Sequence, residues 1–208
     1  MTHVQVGCDD KKIEIFQHDI ESLLDKQFVN DAIINFWKLW IDRHNVVQRT
    51  SNIHQMSTYF YTRLCEKGCG IVSKEIRSHG INLISKNIIS IPININKHWS
   101  AFAVINAKLV LQASKLESSY SPFMIHLDSL GCHDTITIAR QIRRWLSYEW
   151  TTRMKYCCNE IVLNESNLPV FCPQGEKSYS VIKNLISISR FTNIFFPKLY
   201  STSTKKWI

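Results

Sequence analysis

The sequence predicts an α+β fold in which helical segments lie before and after a central group of strands. Apolar residues recur at helical spacing over residues 32–43 and again over 135–150. Between residues 88 and 127 the pattern changes to short runs of β-branched and aromatic residues with strand-like spacing. Helices, then strands, then helices is an order typical of α+β proteins rather than of alternating α/β proteins.

The helices are predicted from their apolar faces and their capping residues. Residues 13–24 indicate a short strand or turn and then a helix that starts near Asp19. The segment from Ala32 to Arg43 is strongly amphipathic, and Asn30 or Asp31 is in position to cap it. Two more helices are predicted, over residues 53–66 and over residues 135–150. The aromatic side chains of the first are expected in the core.

Four strands are predicted from the remaining apolar runs. The segment 88–95 alternates apolar and polar residues, and 100–105 and 123–127 are short apolar runs. The run 168–172 predicts a fourth, short strand. His98 precedes the second strand and Asp128 follows the third, so both lie at strand ends.

Length and composition indicate one domain with a short tail. The 208 residues include 45% hydrophobic residues, and no stretch approaches the ~20 continuous apolar residues of a membrane span. The first residues lack the basic and apolar segments of a signal peptide. We therefore expect an intracellular protein, of the nucleus or cytoplasm, with no membrane association.

The net charge of +8 is concentrated in the tail. Residues 175–208 carry six basic residues and one acidic residue, a net charge of +5, which leaves +3 for the other 174 residues. The body of the chain has no basic helix with interleaved aromatic residues, so a nucleic-acid partner is not expected.

Seven cysteines at irregular spacing are typical of free thiols in a reducing compartment. Cys65 and Cys69, with His79 nearby, are candidates for a zinc site, but the adjacent Cys157 and Cys158 make a poor second ligand pair. We expect buried thiols, no metal and no other cofactor.

Two short strings contain candidate catalytic residues. His98-Trp99-Ser100 lies between two predicted strands, and His126-Leu127-Asp128 ends the next one. If the two strands are neighbours, the Asp128 carboxylate can accept the N–H of His98, fix its tautomer and stabilise its protonated form. Each string alone is also compatible with simple packing.

Four ordered motifs resemble those of the Ulp/sentrin-specific protease family, whose members are cysteine peptidases. They are Phe28-Val29-Asn30-Asp31 with Ile33-Ile34-Asn35-Phe36, then His98-Trp99-Ser100, then Asp128-Ser129-Leu130, then Pro173-Gln174. The resemblance runs from about Ile13 to Gln174. It implies a papain-like architecture with a helical N-terminal part on a central mixed sheet, and a protease domain over residues 1–174.

The resemblance also implies residue roles. His98 would be the general base, Asp128 would orient it, and Gln174 would be the oxyanion glutamine. Trp99 and Phe28 would wall a narrow slot for the Gly-Gly tail of a SUMO-like or other ubiquitin-like modifier. Without the resemblance, simple core packing is the alternative for both residues. The implied function is removal or processing of such modifiers by cleavage after Gly-Gly.

The final motif of the family is broken in this chain. If Gln174 is the oxyanion glutamine, the spacing of the family's Asp-Cys-Gly brings Ser180 to the nucleophile position, and a serine hydroxyl is far less acidic than a thiol. If Gln174 is instead the first glutamine of the family's pair, Val181 falls there, so neither register supplies a thiol. Cys172 lies inside a predicted strand, where a buried structural thiol is expected. Residues 175–208 therefore form either the divergent tail of a pseudo-protease or an altered end to a gene whose intact product has the cysteine. We favour the second, because the divergence after Gln174 is abrupt.

The sequence thus predicts a thiol-protease domain for ubiquitin-like modifiers that is inactive in this chain because the nucleophile is missing. The alternative is a non-catalytic module that binds such a modifier.

Overall fold

The computed structural model of the chain describes residues 3–8, 11–24, 27–44, 52–110, 121–154 and 161–173, with the backbone alone for 3–8, 11–12 and 40–44. The chain divides into two compact units, residues 1–172 and 173–208. Of the second unit only Pro173 is described, so the architecture below is that of the first. The predicted boundary between domain and tail, after residue 174, stays a prediction.

The chain begins with an antiparallel hairpin of β1, His3–Cys8, and β2, Lys11–Phe16. A short helix, α1, Gln17–Glu21, follows directly. The buried Asp19 accepts hydrogen bonds from the backbone N–H of Phe16 (2.8 Å) and from Nδ2 of Asn30 (2.5 Å). This carboxylate therefore connects the start of α1 to the residue that precedes the next helix.

The amphipathic segment forms α2, Asp31–His44. Of the two predicted caps, Asn30 performs the role, because its side-chain oxygen accepts the N–H of Ile33 at 3.1 Å. Ile33, one turn from the cap, is buried. The predicted helix over 32–43 is confirmed.

Five strands form a mixed sheet in the order of the chain. The central three are antiparallel and the two outer strands pair in parallel with their neighbours. The strands are β3, Ile53–Gln55; β4, Ile88–Ile95; β5, His98–Ile105; β6, Phe123–Leu127; and β7, Val170–Phe171.

Two long helices, α3, Phe60–Ser78, and α4, Thr135–Arg153, contribute to the core together with the sheet. The ring of Phe60 meets that of the fully buried Trp145 edge to face at 4.7 Å. Trp145 donates its indole N–H to Ser73 at 3.2 Å, so its polar atom is satisfied inside the core. The core side chains of β4 and β5 belong to the same buried cluster as this helix pair.

The prediction of a helix over residues 53–66 is wrong at both ends. Residues 53–55 form the edge strand β3, paired in parallel with β4, and the helix runs from Phe60 to Ser78. Pairing with a strand more than thirty residues away is not visible in local spacing, and it overrides helical periodicity. Phe60 and Tyr61 are core residues as predicted, whereas Tyr59 is 56% exposed.

The fourth predicted strand is shorter than residues 168–172. Strand β7 contains two residues, and Cys172 lies beyond its end. Pro169 has no N–H to donate, and it contributes only its carbonyl, which accepts the N–H of Met124 at 2.7 Å. The strands predicted over 88–95, 100–105 and 123–127 are confirmed, and the overall α+β class with them.

None of the helices described here combines the length and the apolarity needed to cross a lipid bilayer.

Candidate active site at the ends of β5 and β6

His98 is positioned by a tight hairpin turn. The loop between β4 and β5 contains only Asn96 and Lys97, with φ of 53° and 65°, and Ile95 pairs with His98 across it. Two residues with positive φ define a type I′ turn, whose twist matches that of the flanking strands. His98 is therefore the first residue of β5, at the rim of the sheet.

Asp128 reaches His98 because of strand register. Ala101 of β5 pairs with Leu127 of β6, so continuing the ladder by one residue brings Asp128 opposite Ser100. His98 and Ser100 lie on the same face of β5, since side chains alternate with a period of two. Diagonal neighbours on one face are within reach of longer side chains. Nε2 of His98 lies 2.7 Å from Oδ1 of Asp128.

Three donors from the described residues hold the Asp128 carboxylate. Its side chain is 1% exposed, and besides His98 it accepts the backbone N–H of Leu130 at 3.1 Å and that of His133 at 2.8 Å. Burial alone would raise the pKa of Asp128, but the hydrogen bonds from His133, His98 and Leu130 outweigh it and lower the pKa to about 2. The carboxylate is ionised at neutral pH.

An ionised partner fixes the tautomer of His98. The carboxylate has no proton to give, so Nε2 of His98 carries the proton and donates it. This leaves a lone pair on Nδ1 of a ring that retains 17% of its exposure. His98 can therefore accept a proton at Nδ1 from a nucleophile, and the Asp128 carboxylate can stabilise the resulting imidazolium.

Trp99 connects the sheet to the segment before α2. Its indole N–H donates to the carbonyl of Val29 at 2.6 Å, across 70 residues of sequence. The neighbouring Phe28 is 68% exposed. Core packing, the simple alternative for both aromatic residues, does not apply to Phe28, and Trp99 is only partly buried.

A buried polar network beneath the pair was not predicted from the sequence. His126 is fully buried, with Nε2 3.0 Å from Oγ of Ser100 and Nδ1 2.7 Å from Oγ1 of Thr135. Burial is the largest cause that lowers the pKa of His126, to about 4; His133 and His98 act in the same direction and Asp128 opposes them. His126 is therefore neutral at neutral pH.

His133 connects this network to the candidate base. Its Nδ1 lies 2.8 Å from Oγ of Ser100, and its ring meets that of His98 edge to face at 4.8 Å. Its backbone N–H also donates to Asp128. The alternation of side chains along a strand is the one sequence signal for this network. It puts Ser100 on the same face as His98, and His126 on the same face as Asp128.

The remaining predicted site residues are placed only in part. Gln174 and Ser180 lie outside the described residues, so their roles stay predictions. Cys172 is half-buried rather than buried within a strand, and Oγ1 of Thr135 lies 3.7 Å from its Sγ. A thiol just beyond a strand end is less enclosed than one within the ladder.

The expectation of buried thiols is wrong for the four cysteines whose side chains the structure describes, because none of them is buried. Cys65 and Cys132 are exposed, and Cys69 is half-buried. The expectation came from the number and spacing of the cysteines, which do not report burial. Cys65 and Cys69 lie on either side of the break in α3 at Gly68, where φ is 79°. Cys157 and Cys158 lie outside the described residues.

Metal-ligating atoms come together elsewhere than at the zinc candidates suggested by the sequence. One ligand atom each from His98, Cys132 and His133 lie within 4.8 Å of one another, as do those of His126, Asp128 and His133. Both ring nitrogens of His126 and both of His133 already have hydrogen-bond partners. The partner of Nε2 of His133 is the carbonyl of Ile95, at 3.2 Å. Apart from Cys132, the members of both groups belong to the hydrogen-bonded network described above.

Comparison with known proteins gives consistent matches. Residues 27–163 match the family model described as the Ulp1 protease family, C-terminal catalytic domain. The chain is 26% identical over 185 residues to ubiquitin-like-specific protease 1D of Arabidopsis thaliana, covering 84% of this chain and 29% of the relative. It is 32% identical over 120 residues to human sentrin-specific protease 2, covering 58% of this chain and 18% of the relative. The chain therefore spans less than a third of the length of these curated relatives.

Two solved structures share the fold. One, described as the de-sumoylating protease, has a TM-score of 0.62 at 21% identity and covers 88% of this chain and 71% of that one. The other is the C-terminal Ulp1 protease domain in complex with Smt3, the yeast ortholog of SUMO. It has a TM-score of 0.56 at 22% identity, and the match covers 89% of this chain and 76% of that one. These likenesses confirm the predicted papain-like α+β architecture.

Proposed function

Because this chain belongs to the Ulp1 protease family, we propose that its domain has the machinery of a cysteine-type peptidase that cleaves SUMO-like modifiers after Gly-Gly. We further propose that this chain binds such a modifier without turning it over, because its nucleophile is missing. The proposed partners are the modifier and its conjugates, and the proposed place of binding is the nucleus or cytoplasm.

One observation carries the proposal: Nε2 of His98 lies 2.7 Å from the buried, ionised carboxylate of Asp128. A histidine with its distal proton held by a carboxylate is suited to deprotonating a thiol and to stabilising the thiolate–imidazolium pair. The family match supports assigning that role to His98 as base and Asp128 as its orienting partner.

The contact between Trp99 and Val29 supports a modifier slot. The 2.6 Å hydrogen bond anchors Trp99 beside His98 in sequence and next to the segment that bears Phe28. The exposed Phe28 is the sequence neighbour of Val29, and with Trp99 it can offer apolar walls that accept a flat, side-chain-free glycine pair. Trp99 and Phe28 are accordingly the proposed substrate-binding residues.

The missing nucleophile follows from the sequence after the glutamine. In the register that makes Gln174 the oxyanion glutamine, Ser180 occupies the nucleophile position and Val181 follows it where the family has glycine. A serine hydroxyl does not form an ion pair with imidazole as a thiol does, and a β-branched residue hinders close approach of the backbone to substrate. Binding without turnover is thus the behaviour expected of this chain.

The test separates the two parts of the proposal. The expressed chain is incubated with a SUMO vinyl sulfone and with a fluorogenic SUMO conjugate, and binding of unmodified SUMO is measured by calorimetry. We expect saturable binding, no adduct and no release of fluorophore. Covalent labelling at any cysteine overturns the missing nucleophile, and absence of binding overturns the modifier class.

Variants locate the binding surface. Trp99→Ala and Phe28→Ala are each expected to weaken SUMO binding at least tenfold. Ile71→Ala, which truncates a 50% exposed apolar residue of α3, serves as the matched control and should bind as the unmodified chain does. Equal weakening by all three variants would show that the slot is not at Trp99 and Phe28.

A further inference from the structure

A cavity of about 890 Å³ lies between α3, α4 and the segment 161–165. Its lining differs from the candidate active site in both residues and charge. Arg140, Arg143 and Arg144 of α4 line it, and Glu165 is the only acidic residue among its described lining residues. Three guanidinium groups against one carboxylate leave a local excess of positive charge, which favours an anionic ligand.

A helix start adds to this charge. At Gly68, with φ of 79° and ψ of 171°, α3 breaks into two helical stretches, the second of which continues to Ser78. The residues at this break, Gly68, Cys69 and Gly70, line the cavity. The first N–H groups of a helix have no intrahelical partner and carry the positive end of its dipole, which favours oxyanions.

Arg143 provides an independent indication of a ligand. The residue is 5% exposed, its Nε donates to the carbonyl of Leu168 at 2.9 Å, and its Nη1 lies 3.7 Å from Oε1 of the largely exposed Glu165. Its Nη2 is buried and has no hydrogen-bond partner in the part of the chain that the structure describes. A buried guanidinium nitrogen without an acceptor is costly, and an oxyanion is the acceptor that guanidinium recognises best.

The size and the remaining lining of the cavity indicate an organic ligand rather than a bare ion. Leu64, Ile161 and Leu163 contribute apolar surface, and Tyr148 lies over Gly70. The volume is within the range of small-molecule sites. We propose that this cavity binds a small organic phosphate, with the phosphate oxygens at the arginines of α4 and the start of the second stretch of α3. The site is separate from His98 and Asp128, so the proposal does not rest on the proposed protease function.

The test uses the full chain with pyrophosphate, ATP and adenosine as probes, at constant ionic strength. Binding is measured by isothermal titration calorimetry. Arg140→Gln/Arg144→Gln removes two exposed arginines from the cavity and leaves the buried Arg143 and its contact to Leu168 in place. The matched control, Lys74→Gln/Lys108→Gln, removes the same charge from two exposed lysines outside the cavity.

We expect ATP and pyrophosphate to bind at one site per chain, ATP more tightly, and adenosine not to bind. The arginine variant should weaken ATP binding at least tenfold, and the lysine variant less than twofold. Binding that both variants weaken equally, or that is not saturable, would show general attraction to a basic chain and overturn the proposal. Absence of ATP and pyrophosphate binding to the unmodified chain would also overturn it. Circular dichroism of both variants confirms that they are folded.

Discussion

Oδ1 of Asp128 lies 2.7 Å from Nε2 of His98, while Oδ2 of the same carboxylate accepts the backbone N–H of His133 at 2.8 Å. One ionised group thereby orients the candidate base and also closes the loop that follows β6. The same contacts make the site a source of stability whose dependence on pH can be worked out.

The first prediction concerns Asp128. Its pKa of about 2 in the folded chain is below the value of 3.8 expected when unfolded, so its ionisation stabilises the fold at every pH above about 4. The contribution, about 2 kcal/mol, is lost as pH falls from 4 towards 2. Asp128→Asn should therefore lower the free energy of unfolding by about 2 kcal/mol at pH 7 and by progressively less in acid. Urea unfolding over this pH range measures both.

Glu66→Gln is the control for Asp128→Asn, since it neutralises an exposed carboxyl of α3. It should leave the free energy of unfolding within about 0.5 kcal/mol of the unmodified chain. A loss in Asp128→Asn that is constant from pH 7 to pH 2 would contradict the ionised, buried carboxylate described here.

The second prediction concerns His126, whose pKa is about 4 in the fold, below the ordinary 6.5. The unfolded chain takes up this proton first, so the neutral, buried ring stabilises the fold above pH 6.5. That stability declines by about 3 kcal/mol as pH falls from 6.5 to 4. The decline occurs at higher pH than that of Asp128, so unfolding curves at pH 7, 5 and 3 separate the two groups.

His126→Gln should flatten the stability profile between pH 6.5 and 4, because glutamine does not titrate. Its amide retains a donor and an acceptor for Ser100 and Thr135. His79→Gln, at an exposed position after α3, is the matched control and should keep the slope of the unmodified chain. If both variants keep that slope, the buried neutral histidine is refuted.

The third prediction concerns Glu149 of α4, which is fully buried between Arg77 and Arg153. Glu149→Ala leaves two partly buried guanidinium groups without their carboxylate, and we expect it to lower the free energy of unfolding by about 3 kcal/mol or more. Glu165→Ala removes a largely exposed glutamate 3.7 Å from Arg143 and should cost about 0.5 kcal/mol or less. Equal effects in urea unfolding would contradict this difference in burial.

The fourth prediction concerns the turn that positions His98. Lys97 has φ of 65°, a left-handed conformation that glycine adopts without a Cβ clash. Lys97→Gly should therefore raise the free energy of unfolding by about 0.5–1 kcal/mol, as expected for Asn-Gly in a type I′ turn. Lys97→Ala should give no gain, because alanine retains the Cβ. A stabilisation by alanine equal to that by glycine would show that the backbone strain is elsewhere.

The local sequence pattern was sufficient to predict those helices and strands in which buried residues recur at regular spacing. The α2 helix, the three antiparallel strands and the helix after Asp134 have apolar periods that survive into the folded state. Strand β3 was predicted as helix because its strand conformation depends on parallel pairing with β4. The length of α3 was underestimated because the kink at Gly68 interrupts its periodicity. Strand β1, which pairs with its neighbour β2, was not predicted.

The sequence by itself determined which residues are available for chemistry: His98, Asp128, Trp99 and Phe28 in an order that resembles one family of proteases, and a serine in the stretch where a cysteine is expected. Only the tertiary structure decided that His98 and Asp128 meet, that Ser100, His126 and His133 form a network with them, and that three arginines of α4 line a cavity. Strand register and helix packing bring together side chains that are far apart in sequence. Such contacts depend on how whole helices and strands are arranged, which local sequence does not specify.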